Sequence, residues 1–75
     1  MDNCVLVTVI FPDGDERTET CVLDDAIREI RDARVAFVAL CRDGGTRYYK
    51  RARCAARDAR LFGDLPGVSF KLWYK

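Results

Sequence analysis

Seventy-five residues, 49% hydrophobic and 33% charged with two prolines, exclude a disordered chain, which would be poorer in apolar side chains. They describe one small globular domain over 1–75, and because ordering a residue costs about 1.5 kcal/mol, nearly every apolar side chain has to be buried. No apolar run approaches the roughly 18 residues of a membrane span and Met1-Asp2-Asn3 lacks the basic start of a signal peptide, so a soluble, cytoplasmic protein without a membrane partner is expected.

Cys4 to Phe11 is β-branched and apolar on both alternating faces, Val5/Val7/Val9/Phe11 on one and Cys4/Leu6/Ile10 on the other, which suits an interior strand. Pro12-Asp13-Gly14 is a turn, Pro fixing the first φ and Gly accepting a positive one. It returns the chain into Glu16 to Val22, a mostly polar strand suited to a solvated edge, where charge discourages pairing with another chain. From Leu23 the period becomes helical: Leu23, Ala26, Ile27, Ile30 and Ala33 share a face, with Asp24 and Asp25 in the first turn and Arg31 and Arg34 near the end.

Val35 to Cys41 is again apolar on both faces, and Asp43-Gly44-Gly45 turns it into the charged strand Thr46 to Ala52. Cys54 to Phe62 predicts a second, shorter helix with Ala55, Ala59 and Phe62 on one side and Gly63 as its stop. Leu65-Pro66-Gly67 breaks the chain, and Val68 to Tyr74 alternates Val68, Phe70, Leu72 and Tyr74 inward. The predicted core includes Leu6, Ile27, Ile30, Phe37, Val38, Leu40, Phe70 and Leu72.

The order ββαββαβ predicts an α+β fold with a single mixed β-sheet, one main helix and a short second helix. Strand polarity chooses among topologies. A ferredoxin-like sheet would set the charged fourth strand at the centre and the apolar third at an edge, against their compositions. In element order and length the chain resembles a ubiquitin-like β-grasp, which implies strands 1, 5 and 3 inside and the polar strands 2 and 4 as edges; ferredoxin-like topology is the alternative. The ending Leu72-Trp73-Tyr74-Lys75 lacks the Gly-Gly through which ubiquitin-like modifiers are conjugated, which argues against a modifier role.

Cys4, Cys21, Cys41 and Cys54 are 17, 20 and 13 residues apart, without the close pairs of zinc ribbons and redox sites, so free thiols and no metal are expected. A hairpin turning at Asp13-Gly14 pairs residues summing to 26 or 27, placing Cys21 opposite Val5 or Leu6 and not Cys4. With no His and one serine, Ser69, a Ser-His-Asp or Cys-His nucleophile is absent from the chain. Asp24/Asp25 suit a helix start and Asp13/Asp15/Glu16 a solvated turn, and no spaced 12-residue calcium loop is present. No motif calls for a cofactor, and an enzyme is not expected.

Charge distribution is the informative feature. Residues 1–40 hold four Arg and nine Asp/Glu, net −5, and residues 41–75 hold nine Lys/Arg and three Asp, net +6. The acidic pole, Asp13, Asp15, Glu16, Glu19, Asp24 and Asp25, is one candidate partner-binding surface, able to occupy a basic groove. The basic pole, Arg47, Tyr48, Tyr49, Lys50, Arg51, Arg53 and Arg57, is the other: cations hold a phosphate backbone and tyrosines stack bases. These features predict a non-enzymatic protein-binding module or inhibitor that occludes its partner, such as a nucleic-acid-binding complex. In format the chain resembles the small inhibitors carried by phages, anti-CRISPR proteins among them, a likeness of size and style. The alternative is direct nucleic-acid binding through residues 47–60. A monomer or weak homodimer is expected.

Overall fold

The computed structural model describes residues 4–62 and 67–75. The chain runs β1(Cys4–Ile10), β2(Glu16–Val22), α1(Leu23–Asp32), β3(Val35–Arg42), β4(Gly45–Tyr49), α2(Ala52–Phe62) and β5(Ser69–Tyr74), the predicted order. Gly63 and Leu65-Pro66, expected to stop α2 and break the chain, lie outside the described residues, as do Met1–Asn3.

One mixed sheet results, ordered β2-β1-β5-β3-β4. β1 and β5 pair in parallel and the other neighbours are antiparallel. The apolar strands take the three interior places and the two polar strands the edges, because only an edge leaves one flank of a strand in water. Val5 faces Cys21 and Cys4 faces Val22, the register in which paired residues sum to 26, so the two cysteines of this hairpin are not opposite one another. Gly14 carries the turn at φ +92°, with its N–H donating to the Phe11 carbonyl at 2.9 Å.

Both helices lie on the same side of the sheet. α1 buries Ala26, Ile27 and Ile30, three positions at 3.6-residue spacing, against β1 and β2, and α2 buries Ala55, Ala56 and Ala59. Alanine at the α2 positions lets that helix approach α1 and β3 closely. The core between helices and sheet holds Val5, Val7, Val38, Leu40, Phe70 and Leu72, with Tyr74 packed at its margin.

Several expectations are corrected. α1 ends at Asp32, before Arg34, and α2 starts two residues earlier than expected because the fourth strand stops at Tyr49. Leu6 is 49% exposed and Phe37 is partly buried, so neither belongs to the core between sheet and helices. In β1, Val5 and Val7 take the helix-facing side, which points Leu6 to the other face. In β3 a bulge between Val35 and Phe37 shifts the register, and Phe37 pairs with Trp73 on the uncovered face.

Candidate functional site: an uncovered aromatic sheet face between two charged edges

Because both helices cover one side, the other side of the sheet is open, and register determines what it displays. Ile10, Trp73 and Phe37 form one row across β1, β5 and β3; Thr8, Lys71, Ala39 and Tyr48 form the next, and Leu6, Ser69, Cys41 and Thr46 the third. Phe37 stacks on Trp73 with centroids 4.4 Å apart and planes inclined by 19°, and Tyr48 tilts against both at 6.4 and 6.5 Å. Tyr48 is 65% exposed, and Ala39, beneath the cluster, is buried. Beside it an open hollow of about 380 Å³ is lined by Ala36, Phe37, Tyr48, Tyr49 and Lys50. Such a surface can take apolar side chains, with Lys71 beside the cluster on the central strand and Lys50 lining the hollow.

The sheet order converts the sequence dipole into a spatial one. β2 and β4 stand at opposite edges, four strand spacings or about 19 Å apart. On the acidic side Asp13 and Asp15 occupy the turn, where Asp13 Oδ1 accepts the Asp15 N–H at 2.9 Å, and Glu16 and Glu19 lie along β2. Asp24 and Asp25 sit in the first turn of α1, at the far end of β2 from Asp13, so the predicted acidic pole is a strip and not a cluster. Arg28 Nη2 meets Asp25 Oδ1 at 3.0 Å, partly neutralising the helical end of that strip. Burial, then the charges of Glu29, Asp25 and Glu19, push the Cys21 thiol above its ordinary value.

The basic pole is divided by the sheet. Tyr48 and Lys50 border the open face, whereas Tyr49 points into the core and its hydroxyl donates to Asp58 Oδ2 at 2.8 Å. Burial, reinforced by Asp58, raises the Tyr49 phenol above its ordinary value, and Tyr49 contributes to the packed core. Arg47 and Arg57 reach Asp58 at 3.8 and 3.6 Å from largely exposed positions. Arg51 accepts the first helical hydrogen bonds of α2 at its carbonyl, from Cys54 and Ala55 N–H, and Arg53 follows in a first turn without any acidic residue. Lys50, Arg51 and Arg53 therefore crowd the positive end of the helix dipole, an arrangement that costs stability and concentrates positive potential.

Trp73 and Lys71 are not among the candidate site residues read from the sequence, and Phe37 is expected there in the core instead. The signal was the second alternation of β5, Ser69/Lys71/Trp73, which places a Trp out of phase with Phe70 and Leu72. Among the described residues no three of His, Cys, Asp and Glu gather closely enough to hold a metal ion, and no helix is long and apolar enough to cross a membrane. No family model matches the chain, and no curated protein or solved structure is significantly similar to it.

Proposed function

We propose that this chain is a non-enzymatic protein-binding module that occludes the working surface of its partner, in the manner of small phage-encoded inhibitors such as anti-CRISPR proteins. The observation that supports this reading is the Trp73–Phe37–Tyr48 cluster on the uncovered sheet face. Aromatic side chains bury large areas at little entropic cost and are the usual anchors of protein interfaces. In this reading they anchor the partner, and the acidic strip of Asp13, Asp15, Glu16, Glu19, Asp24 and Asp25 orients it by attraction to a basic groove. In this reading the site of action is the cytoplasm, where the four thiols stay reduced.

The test is nuclease-treated affinity capture with the parent, a Trp73→Ala variant and a Tyr48→Ser variant, followed by mass spectrometry. A protein retained by the parent and lost from both variants is the expected result. Identical captured sets for all three would sink the aromatic face as the interface.

A second reading, direct nucleic-acid binding, is favoured by one observation: Lys50, Arg51 and Arg53 gather at the α2 N-terminus, next to the exposed Tyr48. Titration against single- and double-stranded DNA and RNA at about 50 mM salt, where phosphate contacts are strong, separates the two readings. No binding there removes the second.

A further inference from the structure

Like charges on two copies of one edge keep those edges apart, but this sheet has unlike edges. β2 displays Glu16 and Glu19, and β4 with the residue after it displays Arg47 and Lys50. Both strands are exposed over most of their length. The pairings fix their relative direction: β2 runs against β1, β5 with β1, β3 against β5 and β4 against β3, so β2 and β4 run in opposite directions. A second copy in the same orientation, displaced along the sheet, therefore brings its β2 antiparallel to β4 of the first with the open faces on one side.

Face and charge then select a register. Glu19 faces Val7 and Arg47 faces Leu40, both buried on the helix side, so Glu19 and Arg47 share that side. Glu16 faces Ile10 on the open side, and Lys50 lines the open-face hollow with Phe37 and Tyr48. Setting Glu19 opposite Arg47 in an antiparallel pair sets Glu16 opposite Lys50, Thr18 opposite Tyr48 and Thr20 opposite Thr46. One register thus satisfies both ion pairs and both faces, and Arg17 meets the uncharged Tyr49. The Asp58 contact leaves Arg47 accessible, since it is long at 3.8 Å, the Arg47 side chain is 62% exposed, and the more buried Asp58 already accepts the Tyr49 hydroxyl.

We propose that a second copy of this chain docks edge to edge, the acidic β2 of one copy adding antiparallel to the basic β4 of the next in the Glu16–Lys50, Glu19–Arg47 register. The helices agree with this direction: α1 carries four carboxylates against two arginines, and α2 three arginines against one carboxylate. With a net charge of +1, copies do not repel one another as wholes. The contact is heterologous, so it does not close on itself as a two-fold dimer and the assembly grows with concentration.

Sedimentation velocity of the full chain tests this in reductant, so that the exposed Cys4 does not cross-link copies. At about 1 mM protein the mean mass should rise with concentration at about 10 mM salt, where screening extends about 30 Å, and fall toward the monomer at about 1 M salt. Glu16→Lys/Glu19→Lys and Arg47→Glu/Lys50→Glu should each weaken association about tenfold or more, and an equimolar mixture of the two should restore it. Circular dichroism checks that the variants fold; should one fail, Glu16→Gln/Glu19→Gln and Arg47→Gln/Lys50→Gln replace them, each expected to weaken association. A monomeric parent at all concentrations overturns the proposal, as does association that survives both reversals or a mixture that stays monomeric.

Discussion

Gly67 shows how one residue couples distant segments. Its φ is +76°, and a Cβ built there would lie 2.6 Å from the Asp43 carboxylate, which belongs to the β3–β4 turn. Gly67→Ala should cost about 1 to 2 kcal/mol from the left-handed backbone alone, and the Asp43→Ala background should return any steric part, both read from urea midpoints. Gly14, at φ +92° with open space around it, should show the backbone cost only. Tyr49, Tyr74 and Cys21 make the protein sensitive to alkali. Burial raises all three, helped by Asp58 at Tyr49, by Glu29 at Tyr74 and by Glu29, Asp25 and Glu19 at Cys21. Below their ordinary values, 9.0 for the thiol and 10.0 for the phenols, both folded and unfolded chains hold the proton and stability is undiminished. Above them the unfolded chain releases protons that the folded chain retains, so stability must fall as pH rises. Denaturant midpoints taken between about pH 8 and pH 11 should show that decline, and Tyr49→Phe should flatten it.

At the scale of elements, the two faces of β3 and β5 carry different loads. Phe70 is buried between sheet and helices, so Phe70→Ala should cost about 3 to 5 kcal/mol, while Phe37→Ala, which removes a stack on the open face, should cost about 1 to 2 kcal/mol. Equal losses in thermal melts would contradict the assignment of Phe37 to the uncovered side. In α2 the misplaced cations are testable, because Arg53→Glu converts an unfavourable dipole interaction into a favourable one and should stabilise the fold by about 0.3 to 1 kcal/mol. The edges were legible from sequence because ERTETCV and TRYYKRA are too polar to be flanked on both sides. The Asp13-Gly14 turn narrows the hairpin register to sums of 26 or 27, and the structure takes 26, with Val5 facing Cys21. Leu6 and Phe37 were misread for a common reason. A strand apolar on both faces announces an interior position but does not say which face the helices cover, and the bulge at β3 is invisible to simple alternation. The aromatic cluster escaped notice because its members come from three strands that meet only once β5 is inserted.

For the whole molecule, two opposed edges imply that charge governs encounter more than stability. Replacing Asp13, Asp15, Glu16 and Glu19 by Asn or Gln should leave the melting temperature nearly unchanged, since exposed charges contribute little to folding. Against a recovered protein partner, surface plasmon resonance at two salt concentrations should show slower association and a weaker salt dependence for this variant. Arg47, Lys50, Arg51 and Arg53 changed to Gln form the matched control. A larger loss in the control would move the orienting role to the basic edge, and equal rates for parent and both variants would remove charge steering altogether.

The parallel pairing of β1 with β5 has a consequence for synthesis. Leu6 finds Ser69 across the middle of the sheet, so the two halves of the molecule share no complete seam until residues 69–74 are available. During translation β1, β2 and α1 leave the ribosome with one flank of β1 unpaired, and β3, β4 and α2 follow as a second unfinished piece. Neither hairpin can bury its apolar residues alone. Any state that lacks the β1–β5 pairing therefore leaves the inner flanks of both hairpins unpaired, and insertion of β5 is the step that joins them into one sheet.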